Sequence, residues 1–173
     1  MVFSSAIFLF VFLPIVCALY FCAPGIKTKN ALLIIASLIF YAFGEPVYIL
    51  LMLASIAVNY MFGRLIGVFS KNENQAGRKI CLILAVIANI GVLGVFKYTG
   101  FIVENLNHIN GINIKNPNIA LPIGISFFTF QALSYVIDVY REPELEQKNL
   151  FNLVLYVSFF PQLIAGPIIR YNE

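Results

Sequence analysis

The stretch VYILLMLASIAVNYMFGRLIGVF, residues 47–69, decides the fold class of this chain. Arg64 is its single charged residue, and the stretch exceeds the about 20 mostly apolar residues that a membrane-spanning helix needs. It therefore predicts a helix that crosses a bilayer.

Five further apolar segments surround this one, at residues 2–23, 31–43, 80–103, 119–140 and 150–169. The chain of 173 residues is 61% hydrophobic and 11% charged, whereas soluble domains are about 25% charged. A water-soluble fold of this size cannot hide so much apolar surface. We therefore predict an all-α fold of about six transmembrane segments. The second segment is short for a span, which leaves a re-entrant course open for it.

Charge and cysteine content exclude several other classes of protein. The net charge of +3 comes from scattered basic residues, so nucleic acid is not a predicted partner. The cysteines are odd in number and lie in apolar runs, which gives neither a disulfide framework nor a metal-ligand spacing. We interpret Cys17, Cys22 and Cys81 as small buried residues.

The basic residues predict the orientation in the membrane. They follow the first, third and fifth segments, as Lys27, Lys29, Lys71, Arg78, Lys79, Arg141 and Lys148. If all six segments cross, these loops share one side, and the positive-inside rule makes that side cytoplasmic. No basic residue precedes Lys27, so the first segment is interpreted as a retained helix rather than a signal peptide. The N-terminus is then outside, as is the Asn-rich stretch 104–118, a predicted loop that holds His108, the sole histidine.

Polar residues inside the fifth segment form one helical face. Gln131, Ser134, Tyr135 and Asp138 follow the spacing i, i+3, i+4, i+7, and Arg141 lies one turn beyond Asp138, close enough to pair with it. Pro122 is predicted in the first turn of this helix. A polar stripe in hydrocarbon is costly, so it faces other helices or a cavity. The residues alone favour hydrogen bonding between helices over a path for a polar substrate.

Two other patterns concern helix packing and helix breaks. Gly63 and Gly67 have the small-xxx-small spacing of helix contacts, and plain packing is the favoured interpretation. The sixth segment, 150–169, contains Pro161, Gly166 and Pro167, which predict a break at membrane depth. Broken helices there are covered by protein or line a cavity, as in transporters, and a simple proline kink is the alternative.

Long strings in this sequence resemble the bacterial branch of the membrane-bound O-acyltransferase family. The strings are LPIGISFFTFQALSYVIDVYR, YVSFFPQLIAGPIIR, FYAFGEPVYILLMLASIAVNYMFGRLIG and VFKYTGFIVENLN. Relatives in that branch act in alginate O-acetylation, peptidoglycan O-acetylation and D-alanyl transfer to teichoic acid. The resemblance covers nearly the whole chain.

The resemblance implies an enzyme of the bacterial cytoplasmic membrane that passes an acyl group, acetyl above all, to an extracytoplasmic polysaccharide. It implies an extracytoplasmic acyltransferase as partner protein and no bound cofactor. The acyl donor is not named by the sequence, and acetyl-CoA and an acyl carrier both remain open. The wall of the acyl path is expected to include Gln131, Ser134, Tyr135, Asp138, Arg141, Gln162, Gly166, Pro167 and Arg170.

The resemblance also implies where the catalytic centre of the family lies. Its hallmark is an intramembrane histidine, the general base for the acceptor hydroxyl, downstream of the string GPIIR. His108 does not match that histidine in context. We therefore expect residues 1–173 to be the N-terminal portion of a single transmembrane domain, inactive alone. Half of a transporter or flippase, and a non-catalytic membrane assembly protein, are the alternative functions.

Overall fold

The structure, a computed structural model, describes residues 6–110, 115, 117, 119–165 and 171. Over these residues it is all-α, as predicted. A π-helical turn, Phe8–Phe12, continues into the first of seven α-helices. The helices are α1 (Leu13–Cys22), α2 (Gly25–Gly44), α3 (Tyr48–Lys71), α4 (Gln75–Asn110), α5 (Ile125–Arg141), α6 (Leu150–Ser158) and α7 (Phe160–Ala165).

Within the described residues, three helices are long and apolar enough to cross a membrane: α2, α3 and α4 up to His108. The apolar stretch Phe8–Cys22 is shorter. The prediction that the second segment is short was wrong, because α2 begins at Gly25 and its polar first turns are helical too. Charged residues at a helix end reach the interface with their side chains, so they lengthen a spanning helix rather than end it.

The fourth helix is also longer than predicted. Its 36 residues make it about 54 Å long at 1.5 Å per residue, against about 30 Å of hydrocarbon. The ring of Phe96 lies edge-on to that of Tyr48 at the start of α3, with centroids 5.9 Å apart. The rest of α4, including His108 in its last turn, therefore extends past α3. Residues 104–110 are helical rather than a loop, since no Gly or Pro interrupts them.

The fifth helix starts later than predicted. Gly124 has a left-handed backbone, φ +77°, and ends the preceding chain, so α5 begins at Ile125 and Pro122 lies outside it. The entry to α5 is held by two tyrosines: the Tyr41 hydroxyl donates to the Ile123 carbonyl and the Tyr48 hydroxyl to that of Ala120, both at 3.1 Å. These bonds tie the start of α5 to the turn between α2 and α3.

The basic loops lie together on one face of the helix bundle, as predicted. Lys71 Nζ, at the end of α3, lies 3.2 Å from Glu146 Oε2 in the loop after α5. Arg78, at the start of α4, donates to the Tyr140 carbonyl at the end of α5. Lys27, near the start of α2, lines a cavity together with residues of α6. We call this surface the basic face, and the side holding the α2–α3 turn the opposite face.

The sixth segment is broken, as predicted from its prolines and glycine, and the break lies at Phe159. The backbone turns extended at Phe159, with ψ 111°, which separates α6 from α7 and places Pro161 in the first turn of α7. Leu163 lies against Gly124, at the start of α5, whereas the Tyr171 amide bonds to Asp138, near its end. α6 thus begins near the basic face, Leu163 lies near the opposite face, and Tyr171 lies again near the end of α5, so we call the described residues 150–165 and 171 the re-entrant segment.

Packing joins these elements into one helix bundle, in which α3, α4 and α5 contact one another. α3 packs against both α4 and α5, α6 packs between α2 and α3, and α1 packs on α2. An aromatic cluster of Phe8, Phe12, Phe40 and Phe160 holds the N-terminal turn and α2 to the tip of the re-entrant segment. The prediction of three buried cysteines was wrong: Cys81 is buried, but Cys17 and Cys22 are exposed, because the outward surface of α1 is itself apolar.

A reciprocal amide pair links α3 to α4. Asn59 Nδ2 donates to Asn89 Oδ1 at 3.0 Å, and Asn89 Nδ2 donates to Asn59 Oδ1 at 2.8 Å. Each amide also donates to the carbonyl four residues earlier in its own helix, of Ser55 or Ala85. With both donors of each amide used, the pair is satisfied without water. Asn59 is therefore a packing residue, and Asn89 is its partner.

Candidate functional site

The predicted polar face of α5 points into the protein. Gln131, Tyr135 and Asp138 are buried and Ser134 is half-buried. Gln131 Nε2 donates to the Tyr156 carbonyl on α6 at 3.0 Å, and the Ser134 and Tyr156 hydroxyl oxygens are 3.2 Å apart. The stripe therefore meets the re-entrant segment rather than lipid.

Asp138 holds the far end of the re-entrant segment. Its Oδ2 accepts the backbone N–H of Tyr171 at 3.0 Å. The predicted pairing of Asp138 with Arg141 was wrong, because Asp138 turns inward while Arg141 is exposed. Because the buried Asp138 carboxylate accepts this backbone N–H, it has a hydrogen-bond partner even without a cation beside it.

Three tyrosines close the cluster. The Tyr171 ring lies edge-on to the rings of Tyr135 and Tyr156, with centroids 4.9 and 5.0 Å away. Gln147, in the loop after α5, donates its side-chain N–H to the Tyr171 hydroxyl at 2.6 Å and its backbone N–H to the Tyr135 hydroxyl at 3.3 Å. We call Gln131, Ser134, Tyr135, Asp138, Gln147, Tyr156 and Tyr171 the polar cluster.

The glycines of α3 make room for this cluster. A Cβ atom placed on Gly63 would lie 2.5 Å from the Tyr135 hydroxyl, and one on Gly67 would lie 2.5 Å from Cδ of Glu146. The interpretation of the two glycines as packing residues needs one change: each receives a side chain from another element rather than the backbone of a crossing helix. Together they form a notch on α3.

Glu146 is the charged part of the notch. Its carboxylate forms ion pairs with Arg64 and Lys71 of α3. The Glu146 side chain is 5% exposed, while those of Arg64 and Lys71 are 40% and 67% exposed. The acid is thus desolvated between two cations that keep contact with water, and this arrangement fixes the loop after α5 to α3.

The other predicted site residues lie outside the polar cluster or outside the described residues. Gln162 lies in α7, beyond the break at Phe159, and is half-buried. Gly166, Pro167 and Arg170 lie outside the described residues. Sequence reasoning missed Tyr156, Tyr171 and Gln147. Tyr156 begins the string YVSFFPQLIAGPIIR, Tyr171 follows it directly, and Gln147 lies in the polar loop before it.

The polar cluster has side chains suited to binding and positioning. The cluster offers amides, hydroxyls and one carboxylate. The buried hydroxyls of Thr129 on α5 and Ser158 on α6 have no hydrogen-bond partner within the part of the chain that the structure describes. Over the same residues no group of three His, Cys, Asp or Glu side chains is arranged to hold a metal ion. The cluster can therefore orient a polar group but contains no nucleophile with an adjacent histidine base.

These features define the class: an all-α, multi-pass membrane protein in which a re-entrant segment covers a buried polar cluster. The chain is 43% identical to the probable alginate O-acetylase AlgI of Pseudomonas aeruginosa, 41% identical to that of Azotobacter vinelandii and 35% identical to the peptidoglycan O-acetyltransferase of Helicobacter pylori. These relatives are members of the membrane-bound O-acyltransferase family, and the similarity to them extends over the whole of this chain.

These matches extend over the whole of this chain but over only part of each relative. Each covers 100% of this chain but 34%, 35% and 38% of the three relatives, so the chain spans about a third of the length of the curated relatives it matches. No protein-family model and no solved structure matches the chain.

Proposed function

We propose that this chain builds part of the acyl path of a membrane O-acetyltransferase that acetylates hydroxyls of a cell-envelope polysaccharide. One observation carries the proposal: Asp138 and Gln147 hold Tyr171 so that the re-entrant segment covers the polar face of α5. The names of the relatives, which are O-acetylating proteins of alginate and peptidoglycan, supply the reaction class.

The polar cluster suits a wall better than a catalytic centre. An acyl group that crosses a membrane needs hydrogen-bond donors for its carbonyl oxygen and apolar surface for its carbon chain. The hydroxyls of Ser134 and Tyr156 are donors of this kind. Those of Thr129 and Ser158, which have no partner among the described residues, lie on the same two helices. We assign these groups positioning roles.

The general base is expected outside these residues. The family resemblance calls for a histidine within the membrane, and His108 lies in the last turn of α4, past the level of α3. An exposed imidazole there is far from the polar cluster, which contacts the loop after α5 on the basic face.

The proposed orientation follows from the basic face. Lys and Arg residues are concentrated on cytoplasmic loops, so we place the basic face in the cytoplasm and the N-terminus outside. An acetyl donor, acetyl-CoA or an acyl carrier, would approach the basic face. The polysaccharide acceptor and an extracytoplasmic partner protein would meet the opposite face, where α4 extends beyond α3.

Deletion of the gene tests the function directly. We expect the deletion strain to lose ester-linked acetate from an envelope polysaccharide, measured by mild base release from separated polysaccharide fractions. The unaltered gene should restore it, Gln131→Leu should restore less, and Asn105→Leu, which removes an exposed amide on α4, should restore it fully. Unchanged ester acetate in every fraction of the deletion strain would contradict the proposal.

A transporter half remains the second candidate, because a broken, re-entrant segment beside a polar cluster also suits a substrate gate. It predicts that the deletion changes uptake or export of a solute while ester-linked acetate stays constant. The same pair of strains therefore separates the two functions.

A further inference from the structure

A cavity of about 490 Å³ opens on the basic face between the first turns of α2 and the start of α6. Its rim is polar, with one lysine and three amides: Lys27, Asn30, Asn149 and Asn152. Its α2 wall continues away from the basic face as Ala31, Ile34 and Ile35. The cavity thus changes from polar to apolar with depth.

An apolar furrow continues from this cavity. A second cavity, of about 540 Å³, lies between α1 and α2 and shares Ala31 and Ile35 with the first. Apart from Thr28, its lining residues are apolar, and they extend along α2 as far as Ile39. The polar rim and the furrow therefore meet along one stripe of α2, at positions 31, 35 and 39, which are one turn apart.

The charges at the rim favour an anion. Neither cavity is lined by a carboxylate, and Lys27 forms no ion pair with any described residue. Its neighbour Lys29 lies 5.0 Å from the Tyr20 ring centroid and does not line the cavity. α6 begins at the rim, capped by Asn149 Oδ1, which accepts the Phe151 N–H at 3.0 Å. A helix N-terminus adds partial positive charge to that of Lys27.

We propose that one anionic phospholipid occupies this site, with its phosphate at Lys27 and the rim amides and an acyl chain in the furrow. A soluble anion would use the rim and leave the furrow without a ligand. A zwitterionic lipid would bring a choline cation toward Lys27, which disfavours it. The lipid would pack α6 against α2 and so support the entry of the re-entrant segment.

Native mass spectrometry of the purified protein with phosphatidylglycerol, and with phosphatidylcholine of the same acyl chains, tests the headgroup. We expect phosphatidylglycerol to be retained preferentially, and Lys27→Gln to weaken its retention about fivefold, the effect of one cation at an anionic lipid surface. Lys29→Gln is the matched control, with the same charge change within the same turn and less than a twofold effect. Equal losses in the two variants, or equal retention of the two lipids, would overturn the proposal.

A second pair of variants tests the furrow. Ala31→Phe fills the wall that the two cavities share, and Ala31 is exposed, so the larger side chain meets no core. Ala54→Phe is its control, an exposed alanine on α3 away from both cavities. We expect Ala31→Phe alone to abolish retention of phosphatidylglycerol. Unchanged retention in Ala31→Phe, or crosslinking of another protein segment into the furrow, would exclude a lipid there.

Discussion

The amide pair between α3 and α4 allows a sharp test of how this protein is held together. We consider Asn59→Leu, Asn89→Leu and the double variant. Both side chains are nearly inaccessible, at 1% and 3% exposure, so an amide that loses its partner stays largely desolvated. Leucine is close to asparagine in shape, which keeps the packing between the helices comparable.

The expected magnitude follows from the two bonds between the amides, at 3.0 and 2.8 Å. A hydrogen bond between transmembrane helices contributes about 0.6 kcal/mol on average and up to about 1.7 kcal/mol. Two reciprocal bonds therefore predict a coupling free energy of about 1–2 kcal/mol. Each single variant should cost about 1–3 kcal/mol, because it also leaves the other amide buried and incompletely paired.

The double variant should then lose less stability than the two single variants together. We would measure reversible unfolding in mixed micelles of a mild detergent and dodecyl sulfate, following helicity by circular dichroism. Asn105→Leu is the control, since that amide is exposed and donates to the Phe101 carbonyl of its own helix, at 2.7 Å.

Additive losses within about 0.5 kcal/mol would refute the reasoning, because they would show that the amides do not interact across the helices. An equally large loss of unfolding free energy in Asn105→Leu and Asn59→Leu would also refute it. Replacement of any asparagine would then destabilise the protein, whether or not it bonds to another helix.

Three further predictions concern the notch and the polar cluster. Gly63→Ala should lower the free energy of unfolding in the same assay by about 1–3 kcal/mol, because the new methyl group displaces a buried tyrosine ring. Its control is Gly91→Ala, which has nothing within 4 Å of the added Cβ and should leave stability unchanged or raise it. Glu146→Gln should cost about 1–2 kcal/mol, less than a fully buried pair because its cations are partly hydrated, while the exposed Glu144→Gln stays within about 0.5 kcal/mol. Asp138→Ala should lower protein abundance in membranes or ester-linked acetate, measured by immunoblot and acetate release; no change in either would exclude an important role.

The apolar runs predicted where helices lie better than where they begin and end. α3 has nearly the bounds of its apolar run, 47–69, because its ends coincide with the change from apolar to polar residues. α2 begins before its apolar run, since a polar first turn is as helical as an apolar one. α5 begins after the start of its run, because the left-handed backbone at Gly124 outweighs the apolar residues before it.

Only part of the candidate site could be predicted from the sequence, for a similar reason. The face of α5 follows from helical spacing alone, so Gln131 and Asp138 were placed correctly in the protein interior. Their partners lie 25 and 33 positions later in the chain, in Tyr156 and Tyr171. A local pattern contains no information on such contacts, and only the tertiary packing of α6 and Tyr171 against α5 brings them together.

The notch on α3 connects the fold to the candidate site. Gly63 admits the Tyr135 ring and Gly67 admits Glu146, so two missing side chains on one helix set both the depth of α5 and the position of the loop that follows it. That loop also carries Gln147, which binds Tyr171. A larger side chain at Gly67 should therefore shift the loop and weaken the closure of the polar cluster, although the nearest atoms to an added Cβ belong to Glu146, which is not part of that cluster. If Gly67→Ala destabilised the fold but left ester-linked acetate unchanged, the loop would stabilise the protein without affecting the acyl path.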